Sequence, residues 1–354
     1  MRSVATATVV GLCLSWAGCV RRAPVPTSPP GQQHDVTFTL YSPLASDMEV
    51  ARRALTPLTF RRVQEALSAT GQALREEPVD LSKERFSVYV PAGEPPREGY
   101  GLLVFVAPWS EATRPRRWRP ALDRHRLILV SAENSGNDAK VLDRRLPLAL
   151  LACENVRARY PIDPERVYVG GFSGGSRVAQ VAALAYPDLF RGVLLNAGSD
   201  PIDGEKGTYV PPADLFRLFQ QTRLVYITGE HDELNLHDDA VSQASMRDRC
   251  VLDLTSLVAR RLGHEPLDPL ALDNALEALD RPSQVDAAAR EACNARLRRE
   301  VASRLADAEA AIARGDRKGA LALLKDVDAT YGGLAAPAIL ELDARLAASP
   351  AAGR

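Results

Sequence analysis

The feature that most constrains this chain lies between residues 84 and 229, where short apolar runs recur and segments of a different period separate them. "ERFSVYVP" alternates, whereas "GLLVFVAP", "RLILVSA", "RVYVGG", "GVLLNAG" and "RLVYITG" are continuous runs rich in Val, Leu and Ile. Such runs suit strands that are buried on both faces. Between most of them stand stretches of helical periodicity, such as "DRRLPLALLACENVRARY" and "SRVAQVAALAYPDLF". Strand and helix in turn predict an α/β architecture, a mostly parallel sheet with helices on both faces. In such sheets ligands sit beyond the carboxyl ends of the strands, so the residues directly after each run carry the functional question.

One of those positions holds Gly171-Phe172-Ser173-Gly174-Gly175, between "RVYVG" and the alanine-rich segment that follows. Gly-x-Ser-x-Gly between a strand and a helix is the setting of a nucleophile elbow, in which small residues permit a tight turn that lifts the serine hydroxyl above the sheet. A serine hydroxyl is a weak nucleophile at neutral pH, so it needs a histidine base and a carboxylate to orient that base. Asp232 follows the run "RLVYITG", with Glu230, Glu233, Asp238 and Asp239 as rivals nearby. His264 stands in "RLGHEPLDPL", ahead of a helix predicted to begin near Asp268 or Pro269. His231 and His237 crowd the acid's own loop, His34 lies in an N-terminal linker and His125 precedes a strand. The order Ser173, Asp232, His264 differs from the orders on the two familiar serine-protease folds.

An oxyanion hole needs two aimed N–H donors. Gly174 supplies one. After "LLVFVA" comes Pro108, which has no N–H, so Trp109 is the candidate for the second. Trp109 and Trp118 also suit a wall of the site or a cover for the sheet. In the loop "ENSGND", Asn134 and Asn137 are either substrate contacts or turn residues.

The stretch from "RFSVYVPAG" through "RVYVGGFSGGSRVAQVAALAYPDLF" to "VYITGEHDELN" and "GHEPLDPLALDNALEALD" resembles α/β-hydrolases of the polyhydroxybutyrate depolymerase and feruloyl esterase type. The resemblance covers about residues 84 to 281, and Tyr186-Pro187 followed by "DLFRGV" is among its more specific touches. It implies the α/β-hydrolase fold and hydrolysis of small or polymeric carboxylic esters without a cofactor. Two departures touch the machinery: "VAPWSE" stands where relatives carry His-Gly, and "VARRLGH" replaces a fuller "PGxGH" approach to the histidine. Two other readings therefore stay open, a non-catalytic surface lipoprotein that binds a partner and a serine peptidase on the same three residues.

The remaining chain frames that body. With 44 basic against 45 acidic residues and a formal net charge of −1, no global field draws the protein to nucleic acid. Residues 1–19 read as a signal peptide, with Arg2, an apolar run from Val4 to Leu14 and "SWAGC". Ala17-Gly18 before Cys19 resembles a lipoprotein processing site, which would anchor an exported protein to a membrane through lipid on Cys19; simple secretion is the other outcome. Residues 20–35 have the Pro, Ser and Gln content of a flexible tether. Residues 36–83 suggest a helical lead-in broken at Pro57, and residues 84–282 the hydrolase domain.

Beyond Pro282 the composition shifts to Ala, Leu, Arg, Asp and Glu, which predicts two or three helices over 283–354. Part of this extension resembles a single tetratricopeptide unit, which cannot bury its own face. The extension is expected to dock on the body or on the N-terminal helices, with binding of a protein partner as its other use. Among Cys153, Cys250 and Cys293, a pair between Cys250 and Cys293 competes with free buried thiols, because Cys153 falls on a predicted buried helix. No Cys/His spacing points to a metal.

Overall fold

The structure is a computed structural model that describes residues 30–112, 115–202 and 208–348; Cys19 and the targeting segment lie outside them. The strands are β1 (Gly31–Val36), β2 (Phe86–Val90), β3 (Tyr100–Val106), β4 (Leu127–Ala132), β5 (Ile162–Phe172), β6 (Gly192–Asn196), β7 (Arg223–Gly229) and β8 (Leu254–Ala259). They form one sheet in the order β1-β2-β4-β3-β5-β6-β7-β8. β2 is antiparallel to both β1 and β4, and β3 to β8 run parallel.

The period of two along each strand divides the core. Leu102, Val104 and Val106 of β3 join one apolar cluster, while Leu103 and Phe105 join another on the opposite face. The first face is covered by α4 (Leu146–Arg159) and α5 (Gly174–Ala185), the second by α3 (Arg119–Arg124) and α8 (Pro269–Asp280). This sheet order, with parallel strands covered by helices on both sides, is the α/β-hydrolase fold. The apolar runs of the sequence correspond to β2 through β7.

The two outer strands depart from expectation. Residues 31–35, expected within a flexible tether, form β1, which pairs Gly31 with Val90 and Gln33 with Val88. "GQQHDV" has no apolar pattern because an edge strand is held by its backbone while its side chains stay half-exposed. Gln32 also donates from Nε2 to Ser87 Oγ at 2.5 Å. At the other edge, β8 is half-exposed for the same reason.

The lead-in forms α1 (Asp47–Ala54) and α2 (Pro57–Thr70), and Pro57 is the first residue of α2 rather than a break within a helix. The C-terminal extension forms α9 (Ala287–Ala313), α10 (Arg317–Tyr331) and α11 (Ala338–Ala348). The two ends of the chain meet. Buried Asp328 of α10 accepts from Thr56 Oγ1 at 2.5 Å and from the Leu58 amide at 3.1 Å, so it occupies the start of α2 as a capping carboxylate. After α10, the turn at Gly332-Gly333 lies so close to Val210 and Pro211 that a Cβ on Gly333 would stand 2.1 Å from the Pro211 carbonyl oxygen.

Cys250, just beyond α7 (Glu233–Asp248), the helix after α6 (Ala213–Phe219), is bonded to Cys293 of α9 across a sequence separation of 43. Cys153 is a free buried thiol in α4, and burial pushes its pKa up to about 12. Among the described residues no helix is long and apolar enough to cross a membrane.

Candidate active site

The chain leaves β5 at Phe172, turns at Ser173 and enters α5 at Gly174. The turn has no room for side chains on its inner side. A Cβ on Gly171 would stand 2.3 Å from the Gly175 carbonyl carbon, and one on Gly175 2.0 Å from the Val106 carbonyl oxygen. Ser173 itself has φ 54° and ψ −124°. A non-glycine residue held there costs about 1–3 kcal/mol, and the surroundings must enforce it. They do so through the Ser173 amide, which donates to the Asn196 carbonyl at the end of β6, at 2.9 Å. The hydroxyl makes no capping bond to α5 and is left for another partner.

That partner is His264, whose Nε2 lies 2.9 Å from Ser173 Oγ. The His264 loop is fixed from two sides. The His231 amide donates to the Leu262 carbonyl, and Gly229 permits close approach, since a Cβ on it would stand 2.3 Å from the Gly263 carbonyl oxygen. On the other side, Trp118 donates from Nε1 to the Leu267 carbonyl at 2.7 Å, and Arg117 reaches the Pro266 carbonyl. Trp118 is fully buried against Phe105, so it is a core residue that holds this loop rather than a wall of the site. Asp268 caps α8, as the residue order around His264 predicts. The imidazole packs on Phe172 with ring centroids 4.9 Å apart, and Phe172 in turn faces Trp109.

His264 Nδ1 lies 2.7 Å from Asp232 Oδ2. The carboxylate is buried at the start of α7, just past β7. Burial works against its charge, but hydrogen bonds from Asn235 and His264 outweigh that, and the carboxyl titrates below its ordinary value. Asn235 Nδ2 donates to both carboxylate oxygens, at 2.9 and 3.0 Å. With Nδ1–H directed at Asp232, the 3.1 Å approach of Asn235 Nδ2 to His264 Nδ1 is a contact between two donors, not a bond. Three rival acids are engaged elsewhere, Glu230 with the Arg261 amide, Asp238 with Arg177, and Asp239 with the Ser199 and Thr228 hydroxyls, and Glu233 is exposed at the first turn of α7. His231 and His237 are exposed. Hydroxyl, imidazole and carboxylate in a chain of these lengths allow an imidazole to take the hydroxyl proton during attack.

The Pro108-Trp109 loop is tied to the 133–138 loop. The Asn137 amide donates to the Pro108 carbonyl at 2.9 Å and the Asn134 amide to the Ser110 carbonyl at 2.6 Å. Buried Arg145 bridges them, donating to the Ala107 and Ser135 carbonyls, and its burial pulls its pKa down to about 10. Asn134 adopts φ 50° in this turn, whereas Asn137 reaches over the elbow: a Cβ on Gly174 would stand 2.2 Å from its Oδ1. Neither the Gly174 nor the Trp109 amide donates to another backbone group among the described residues.

Sequence reasoning missed Asn235 and Arg177. For Asn235 the signal was available: Asp-x-x-Asn across a helix start brings the two side chains together, and Asp232 also accepts from the Asn235 amide at 3.4 Å.

No family model matches the chain. A poly(3-hydroxyalkanoate) depolymerase C of Paucimonas lemoignei is 47% identical over 45 residues, 13% of this chain and 11% of that protein. A poly(3-hydroxybutyrate) depolymerase of Ralstonia pickettii is 43% identical over 44 residues, 12% of this chain and 9% of that protein. The chain thus matches about a tenth of the length of these curated relatives. Among solved structures, the LpqC poly(3-hydroxybutyrate) depolymerase of Bordetella parapertussis shares 18% identity at a TM-score of 0.44, over 59% of this chain and 88% of that one. An S-formylglutathione hydrolase of Staphylococcus aureus shares 13% identity at a TM-score of 0.42, over 55% of this chain and 91% of that one.

Proposed function

We propose that the chain is an exported serine hydrolase that cleaves carboxylic esters through an acyl-enzyme. The observation that carries this reading is the hydrogen-bonded chain from Ser173 through His264 to Asp232, mounted on a strained turn beyond a central strand. Ser173 Oγ attacks the ester carbonyl carbon as His264 Nε2 takes its proton. The tetrahedral oxyanion is held by the Gly174 and Trp109 amides, whose freedom from backbone partners supports that role. His264 then returns the proton to the departing alcohol, and a water activated in the same way releases the acid. Asp232 keeps the imidazole in the productive tautomer and stabilises its charged form.

The short matches to polyhydroxyalkanoate depolymerases favour aliphatic esters, small or polymeric, as the substrate class. The first 19 residues support export, with lipid attached at Cys19. Mass spectrometry of the mature N-terminus is expected to find Cys19 as its first residue, carrying the lipid; an unmodified terminus elsewhere removes the anchor from the reading.

Labelling with a fluorophosphonate and turnover of p-nitrophenyl butyrate test the enzyme. Wild type should label and turn over, and Ser173→Ala should lose the label and about 10⁴-fold or more in kcat. If the two proteins behave alike across a panel of esters, the enzyme reading fails.

A further inference from the structure

Next to the elbow is a cavity of about 480 Å³ that the reaction steps above do not use. Its wall is mainly apolar: Val178 and Val181 from α5, Val141 and Leu142 from the turn ahead of α4, Tyr209, and Leu55 from the end of α1. Of the elbow only Gly174 lines it, directly after the nucleophile, whereas Ser173, His264, Phe172 and Trp109 do not. That asymmetry assigns the two halves of an ester. The departing alcohol must face His264 to receive its proton, so the half that enters a cavity on the Gly174 side and away from His264 is the acyl arm. Arg177 brings charge to the wall, but Asp200 and Asp238 hold it at 3.3 and 3.1 Å, so a substrate carboxylate would meet a guanidinium already answered by two acids. At roughly 30 Å³ for a group the size of water or methylene, an eight-carbon chain fills half of the volume.

We infer that this cavity binds the acyl chain of esters of unbranched, uncharged aliphatic acids of medium length, and that Leu55, contributed by the N-terminal helices, sets how long that chain can be. The inference rests on the hydrolase reading and adds the acyl specificity to it. Leu55 can serve as a fixed wall because the helices on either side of it are tied down. Arg53, buried, is paired with Glu49 and Asp188, and Asp328 caps the start of α2 two residues beyond.

The test is a series of p-nitrophenyl esters, from acetate through octanoate to hexadecanoate, with wild type, Leu55→Trp and Leu55→Ala, each checked for fluorophosphonate labelling of Ser173. In wild type kcat/KM should climb roughly four-fold per methylene while the chain is still entering apolar space. Leu55→Trp should lower the octanoate-to-acetate ratio at least ten-fold, and Leu55→Ala should move the preferred chain to greater length. A wild type that labels but prefers acetate, or a ratio that moves in neither variant, overturns the cavity assignment and leaves the hydrolase standing. A wild type that neither labels nor turns over any ester overturns the hydrolase reading itself. Should Leu55→Trp fail to fold, the direction of the Leu55→Ala shift decides alone.

Discussion

Asn235 does for Asp232 what Asp232 does for His264. Its carboxamide donates to both oxygens of a buried carboxylate, and its own Oδ1 is approached by Arg177 at 3.4 Å. Truncation to Ala leaves a buried charge short of a donor, a loss of about 1.5–3 kcal/mol for a bond to an ionised group. The pH dependence has a definite sign. Asp232 titrates below its ordinary value in the folded protein, so its contribution is present above the ordinary carboxylate range and is lost as pH falls through the depressed value. Urea midpoints should therefore separate wild type from Asn235→Ala at pH 7 and bring them closer near pH 3; a gap of constant size would show that Asn235 acts by packing alone. Gly175→Ala is expected to be more severe, about 3 kcal/mol or more, because the clash is with the Val106 backbone and no rotamer relieves it. Thermal melts of that variant check the point. Ser173 and Asp232 could be singled out in the sequence because each stands just past a recognisable strand, and His264 because it stands ahead of a recognisable helix start. Asn235 went unread although Asp-x-x-Asn at a helix start carries the signal, since a carboxamide one helical turn on passes for surface until the carboxylate beside it is known to be buried.

Legibility at the level of elements followed burial. β2 through β7, covered on both faces, announce themselves as apolar runs. β1 and β8 lie at the edges, where backbone pairing to one neighbour suffices and side chains need satisfy no pattern. α7 was hidden for a related reason: its face toward the sheet includes buried Asn235, Asp239, Ser242 and Gln243, which pair with polar groups rather than forming an apolar stripe. The contact between α10 and α2 is of the same kind. Asp328 adds a remote cap to the local one that Thr56 gives the Thr59 amide, and burial pushes its own pKa up while the Thr56 and Leu58 bonds oppose that. Asp328→Ala should cost about 1–3 kcal/mol, chiefly by leaving the buried Leu58 amide without its acceptor, since the Thr56 hydroxyl keeps Thr59 as a partner. Chemical denaturation measures that cost; the same variant should lower the octanoate-to-acetate ratio if loosening α2 loosens Leu55.

Across the whole molecule, the appended segments are fastened to the body at several points. The shift in composition beyond Pro282 marks a separate segment, expected to dock on the body or on the N-terminal helices, but not the residues that hold it, because they are a carboxylate, a hydroxyl and two glycines. The Cys250–Cys293 bond ties α9 to the end of α7. By loop-closure entropy a bridge over that separation stabilises by about 4 kcal/mol. Reduction, or Ser at both positions, should lower the melting temperature accordingly, and a melt unaffected by reductant would show that the helices hold without it. The α2 cap also puts a clock on assembly. Thr56 and Asp328 are 272 residues apart, so the segment that carries Leu55 leaves the ribosome long before the carboxylate that seats it. At about 5–20 residues per second the wait is tens of seconds. α2, among the first helices made, is thus among the last to be locked in place, and a chain that stops short of α10 holds Leu55 from the α1 side alone, through Arg53 and Asp188.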